Sequence, residues 1–432
     1  MVAARPRQER RIIAALFRFS VEELSRTASA NQGLCKSTGL ARLNGSTEQP
    51  LNGMDPILHY TSQRLPAIID WIGNLVRIES PTHDKAAVDR AVEFVADHLA
   101  PVATVKLHRQ TEFGRHLRAE FKLPGRAKSR QVLGLGHLDT VWSIGTLARM
   151  PFKRSKGRLW GPGVFDMKSG VAFFVFAAEA LRELDIPCKS KFVLQLNSDE
   201  EVGSPTSRRF TDREAQRSSA VLVAEPAWGL DGRAKTARKG GGTFTLRVKG
   251  QPAHAGLDFA AGASAVLELS RQLLKVSEWT NIEKGVTVNP GVVRGGTASN
   301  VVPEEAWAEV DVRVPRPSDA TRLERKFLGL KPQDRRTSLT VEGGLRRPPL
   351  VRSPGVGRLY RLARKLAAEL SVELGEAHVG GGSDGNFTGA LGIPTLDGLG
   401  GVGEGAHALT ESILIGRIAD RTALLAKLIA AC

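Results

Sequence analysis

Short apolar or glycine-rich runs that end in an acid or a histidine recur along this chain, and they restrict its fold more than any other feature. The loop Gly161–Gly170, GPGVFDMKSG, presents Asp166 and runs into an apolar helical segment, Val171–Leu184. A single loop carboxylate usually just faces water. Here others are delivered in the same way. Val132–Gly136 leads to His137 and Asp139, Phe192–Leu196 to Ser198-Asp199-Glu200-Glu201, and Ala220–Val223 to Glu225-Pro226; a glycine-rich stretch carries His407. Runs of this length read as buried strands, alternating with helices at Ala86–Leu99 and Val171–Leu184. The pattern predicts an α/β layer with a mostly parallel central sheet flanked by helices. Such sheets take their ligands beyond the carboxyl ends of the strands. That is where these acids fall.

The remaining segments divide the chain. Ile57–Val76 has apolar residues at helical spacing, and Val102–Leu107 and His116–Leu123 read as strands. From about Lys235 the pattern changes: a half-buried strand at Thr243–Val248, a helix at Ala263–Val276, then strands at Val286–Val288 and Ala306–Val314. This predicts a small α+β domain at 236–344, inserted between the two parts of a discontinuous catalytic domain, 54–235 and 345–432. A helix at Gly357–Glu373, then GGGSDGN, Pro394–Leu396 and the Gly-rich loop of His407, and a closing helix at Ile413–Ala430 complete the second part. Residues 1–53 are polar, Arg-rich and without sustained periodicity, and are expected to be disordered or a non-native extension. Neither a signal peptide nor a transit peptide fits them well, since Arg18 interrupts the apolar run and Glu9, Glu22 and Glu23 oppose a transit peptide.

Length and composition set the outer limits. At 432 residues the chain exceeds one ordinary core, and 41% hydrophobic with 25% charged residues is globular composition. No run is long and apolar enough to cross a bilayer. Cys35, Cys188 and Cys432 lie far apart without a CxxC pair, which argues against a disulfide framework and a thiolate metal site. The net charge of +16 permits nucleic-acid binding, but the basic residues are dispersed and only 6% of the chain is aromatic. A solvated basic surface that attracts anionic substrates is the better reading. No nucleic acid and no membrane partner is expected, and the location is expected to be cytoplasmic.

The acids and histidines have chemistry in common. Carboxylate with imidazole is the donor mixture of hard and borderline metals. His137, Asp166, Glu201, Glu225 and His407 give two metals three ligands each if Asp166 is shared. Asp139 projects to the same side of an extended chain as His137, so it suits the carboxylate that holds a ligating imidazole. Glu200 and Glu201 are adjacent and point to opposite sides. One can bind metal while the other serves as general base. Glu225 before Pro226 is in a restricted, extended position.

Taken in order, HLDT, GPGVFDMKSG, SDEEVGS, AEPA, GQPAHAG, SNVVP, DVRVP, GGGSDGN and GAHA resemble the di-zinc metallopeptidase family of glutamate carboxypeptidase, aminoacylase, acetylornithine deacetylase and succinyl-diaminopimelate desuccinylase. The resemblance covers about 55–432 and is nearest to the glutamate carboxypeptidase branch. It implies two zinc ions (Zn2+) per subunit, with cobalt or manganese as substitutes. Asp166 would be the bridge, His137 and Glu225 would complete one site, and Glu201 and His407 the other. Glu200 would be the general base and Asp139 the orienting group, with a cis peptide at Asp166–Met167. The insert would be a lid or dimerisation domain, making a homodimer. His254 would polarise the scissile carbonyl, Asn300 and Arg313 would contact the substrate carboxylate, and Gly381, Gly382 and Ser383 would cradle it through backbone N–H groups.

The implied reaction cleaves an amide or peptide bond next to a free α-carboxylate, in an N-acyl amino acid or short peptide. An N-acyl-amino-acid deacylase or dipeptidase is the alternative within the family. A catalytically inactive binding module is the alternative outside it, and the intact Glu200 with five ligands counts against that. His59, His83, His98, His108, His116 and His378 are left without roles.

Overall fold

The computed structural model describes residues 53–125 and 130–432. The expectation for the first 53 residues therefore falls, apart from Gly53, outside the described residues.

The apolar runs form a six-stranded sheet in the order Ala103–His108, His116–Phe121, Lys191–Asn197, Gln131–His137, Ala220–Val223, Thr395–Leu396. The first two pairings are antiparallel and the last three parallel, so the parallel half carries the strands that end in acids. Gln131–His137 is buried at every position, as expected of a strand covered on both faces. Its alternation sends Val132 to one core and Leu133 and Leu135 to another. The first core is closed by helices Leu65–Arg77, Lys85–Leu99, Ser169–Glu183, Pro354–Glu369 and Ile418–Ala431. The second lies under helix Arg208–Gln216, through Ala215. Register aligns the parallel strand ends: His137 pairs with Asn197, and Leu135 with Val223. Residues following these three strands emerge on one rim.

Two close approaches seat the Asp166 segment at that rim. A side chain on Gly136 would fall 2.7 Å from Met167 Cε, so the glycine gives room to the side chain that follows Asp166. A side chain on Gly170 would fall 1.9 Å from the Ala224 carbonyl, so the start of helix Ser169–Glu183 packs directly on the segment before Glu225. The Asp166–Met167 peptide is cis. A second, small sheet pairs Ser412–Leu414 with Arg158–Trp160, which brings the His407 loop beside the Asp166 loop.

Residues 240–347 form an antiparallel sheet in the order Thr287–Gly295, Glu305–Val314, Gly240–Lys249, Ser338–Arg347, with helices Ala265–Ser277 and Pro317–Leu328. It has its own core, in which Phe244 and Phe327 stack with ring centroids 4.0 Å apart. The chain enters and leaves side by side: Arg238 and Leu350 exchange both backbone hydrogen bonds at 3.0 Å. Four features depart from the sequence expectation, the first being the closing helix expected from Ile413, which begins at Ile418 after the strand Ser412–Leu414. The single helix expected over Ile57–Val76 is two, Pro56–Gln63 and Leu65–Arg77, because Pro66 opens a new first turn just after Arg64. The inserted unit has a further helix and strand, Pro317–Leu328 and Ser338–Arg347. The helix buries few large apolar side chains, chiefly Leu323 and Phe327, and the strand is irregular after Gly343-Gly344.

Candidate metal centre

The rim collects the predicted ligands. Asp166 lies between two imidazoles: its Oδ1 is 3.3 Å from His137 Nε2 and its Oδ2 is 3.4 Å from His407 Nε2. Each histidine faces one further acid, Glu225 Oε1 at 3.5 Å from His137 and Glu201 Oε2 at 3.4 Å from His407. Ligand atoms of His137, Asp166 and Glu201 lie within 4.8 Å of one another, as do those of His137, Glu200 and Glu225. The side chain of His137 is 1% exposed and that of His407 51%, so the centre has a buried end and an open end. His407 itself is held at φ +62°, uncommon for a side-chain-bearing residue, by the turn in which Ala408 N–H donates to the Gly405 carbonyl.

These residues fit a metal. His137 Nε2, Asp166 Oδ1 and Glu201 Oε1 are buried without a hydrogen-bond partner, although buried polar atoms are nearly always paired. All three belong to one cluster and carry lone pairs that a cation would satisfy together. Nitrogen and carboxylate oxygen are the donors of zinc and its neighbours in the series.

The charges around the cluster are strongly perturbed. Burial alone would depress the His137 imidazole, but Asp139, Asp166 and Glu225 push it well above its ordinary range. Asp166 and Glu201 raise His407 to about 10. Burial would raise Asp166, yet the two histidines hold it far below the carboxylate range. Burial pushes Glu200 well up, and the Arg347 guanidinium pulls it back. A cluster that holds protons so tightly when metal-free is one that a cation enters by displacing them.

Asp139 is fully buried, and its role differs in detail from the expectation. His137 Nδ1 lies 2.9 Å from the Asp139 backbone carbonyl and 3.4 Å from its carboxylate. The carboxylate instead accepts from the Thr82 hydroxyl at 2.8 Å and from the N–H groups of Glu200 and Glu201 at 3.3 and 3.2 Å. It fixes the adjacent pair of glutamates at least as directly as it fixes the imidazole.

The expected substrate contacts fare unequally. Ser383 is fully buried; its hydroxyl donates to Asp397 at 2.5 Å and its N–H to Asn386 Oδ1 at 3.0 Å. Its donors are spent inside the protein, which corrects the expected cradle at that residue. Gly381 and Gly382 turn their carbonyls to Arg238, at 3.2 and 3.1 Å, and accept a cation there. Arg313 pairs with Asp311 on its own strand at 3.0 and 2.8 Å. His254 and Asn300 are exposed neighbours on the inserted unit, joined through the Ala255 N–H to Asn300 carbonyl bond of 2.9 Å. Among the described residues no hydrogen bond or ion pair links His254, Asn300 or Arg313 to the metal cluster.

Two arginines escaped sequence reasoning. Arg347, at the end of the last strand of the 240–347 unit, lies 3.1 Å from Glu200 and 3.4 Å from Asp384, with its guanidinium over the Phe387 ring. Arg238 grips Asp397 with two bonds of 2.7 and 2.8 Å and comes within 3.6 Å of Glu225. Both stand in strands, where an arginine is usually a surface residue; only burial beside acids distant in sequence distinguishes them.

The sequence pattern of Peptidase family M20/M25/M40 matches residues 134–431. Carboxypeptidase G2 from a Pseudomonas species is 28% identical over 371 residues, covering 84% of this chain and 89% of its own length. Among solved structures, aminopeptidase PepT from Bacillus cereus superposes with a TM-score of 0.73 at 20% identity, covering 85% of this chain and 98% of that one. A dinuclear metal-binding peptidase of the same family from Bacillus subtilis gives a TM-score of 0.61 at 14% identity, covering 86% and 98%. With its family pattern running from the strand before His137 to the closing helix, the chain belongs to peptidase family M20/M25/M40 and is a metal-dependent hydrolase.

Proposed function

We propose that this chain is a di-zinc hydrolase that cleaves an amide bond next to a free α-carboxylate, in the manner of a glutamate carboxypeptidase. The observation that carries this reading is Asp166 between two histidines, each backed by its own acid, with Glu200 beside them. His137, Asp166 and Glu225 would hold one ion and His407, Asp166 and Glu201 the other; cobalt or manganese suits the same donors. When bound, two such ions polarise a carbonyl and make water a nucleophile at neutral pH. The chain's own residues do the rest. Glu200, half-buried and held by Arg347, takes the proton of the attacking water on its carboxylate and returns it to the leaving nitrogen.

His254 supplies the donor to the scissile carbonyl. Its Nδ1 accepts the N–H groups of Gly256 and Leu257 at 3.1 and 3.2 Å, so the neutral ring keeps its proton on Nε2. Asn300 and Arg313 take the substrate carboxylate, Arg313 exchanging Asp311 for the ligand. These residues reach the reacting bond by closure of the 240–347 unit or from a second copy. The edge strand Thr287–Gly295, with Val292 and Val293 exposed, supports pairing of two such units into a homodimer. The likeness to carboxypeptidase G2 supports release of the carboxy-terminal residue.

The deciding experiment measures amino-acid release by zinc-loaded and chelator-stripped protein on N-acetyl amino acids, N-acyl glutamates and dipeptides. Release of the carboxy-terminal residue should vanish on stripping and return with zinc. Release that survives stripping, or none after reloading, overturns the reading.

A further inference from the structure

Glu411 is fully buried beside the metal cluster and has no part in the chemistry above. Its Oε1 accepts the backbone N–H groups of Phe165 at 2.8 Å and Asp166 at 3.0 Å. Its Oε2 accepts the N–H of Gly163 at 3.0 Å and the indole N–H of Trp142 at 2.9 Å. Four donors fill the roughly four lone-pair sites a carboxylate offers. Glu411 also ends the turn that carries His407, its own N–H donating to the Ala408 carbonyl at 2.9 Å. One side chain therefore joins the loop of Asp166 to the loop of His407. On the other side Lys168, also buried, donates to the carbonyls of Leu75 and Ile78 at 3.2 and 2.7 Å, at the end of helix Leu65–Arg77. The Asp166 segment is thus gripped between a buried carboxyl group and a buried amine. A core needs no charges for packing alone, since apolar groups of the same volume stabilise it as well or better.

We infer that Glu411 is a positioning residue for the dinuclear centre: its carboxylate sets Asp166 between the two histidines and registers the His407 loop against it. This rests on the dinuclear reading. Zinc affinity of the full chain, measured by competition with a chromophoric chelator, tests it. Glu411→Gln keeps the shape but turns an amide NH2 toward two N–H donors, Gly163 and Trp142. Both ions should bind about 10- to 100-fold more weakly, the usual loss when a group supporting metal ligands is changed. Trp142→Phe, which removes one of the four donors, should cost less. Adding Trp142→Phe to Glu411→Gln should recover part of the loss, because it removes one facing donor; a merely structural role would not restore metal affinity in this way. Wild-type affinity in Glu411→Gln, even with a lowered melting temperature, overturns the inference. If that variant does not fold, unchanged affinity in Trp142→Phe overturns it instead. Wild-type protein that binds fewer than two ions removes the dinuclear reading, and this inference with it, before any variant is made.

Discussion

The metal cluster and the 240–347 unit hold their functional candidates in opposite ways. At the cluster every candidate touches another: Asp166 meets both histidines, and Asp139 fixes the backbone of Glu200 and Glu201. On the inserted unit His254 and Asn300 are exposed, and Arg313 is occupied by its strand neighbour Asp311. The cluster is built where parallel strand ends in register on one sheet meet the Asp166 and His407 loops, which a second small sheet brings together. The inserted unit has a separate core, and among the described residues no hydrogen bond or ion pair ties its candidates to the cluster. On the proposed function, the difference separates the residues that would bind metal from those that would meet substrate.

Substitutions can break that division. Glu200→Gln should leave both metals in place and lower kcat by about 10²- to 10⁴-fold, the usual worth of a general base. Metal analysis beside turnover checks this, and retained turnover would remove Glu200 from its role. His254→Ala should lower kcat by about 10²-fold or more while zinc affinity stays unchanged. A loss of metal in that variant would mean the two regions are already one site.

The smaller effects sharpen the contrast. Metal-free His137 and His407 are both held protonated at neutral pH, His407 up to about 10, so each ion must displace a proton. Apparent zinc affinity should therefore rise with pH from 6 to 8 by roughly tenfold per unit for each proton released. A flat titration would show that the imidazoles are not the ligands displaced. Arg313→Ala should raise KM about tenfold. Stability should move by no more than about 0.5 kcal/mol, because its pair with Asp311 is exposed and worth little. An unchanged KM would leave Arg313 as a surface ion pair.

Much of the cluster was legible because its chemistry sits where a local pattern stops. His137, Glu201 and Glu225 each follow an apolar run, and a run's end can be read from the chain alone. What could not be read depends on partners far away. Ser383 looked like an open loop donor until Asp397 took its hydroxyl, and Gly381 and Gly382 met the guanidinium of Arg238. Arg347 and Glu411 meet residues 147 and 245 positions away, Glu200 and Asp166, and no periodicity encodes such a meeting. The break at Arg64 was available in Pro66 but was outweighed by an apolar spacing that runs through it.

The side-by-side entry and exit at Arg238 and Leu350 bear on how the protein is made. His137, Asp166, Glu201 and Glu225 all precede the excursion, whereas His407 and Glu411 follow it. During synthesis the growing chain holds four of the five proposed ligands while the whole of 240–347 is still being added. A metal ion captured at that stage would find three acids and one imidazole. The second imidazole, His407, and the carboxylate beside its loop, Glu411, arrive only after that unit has been made.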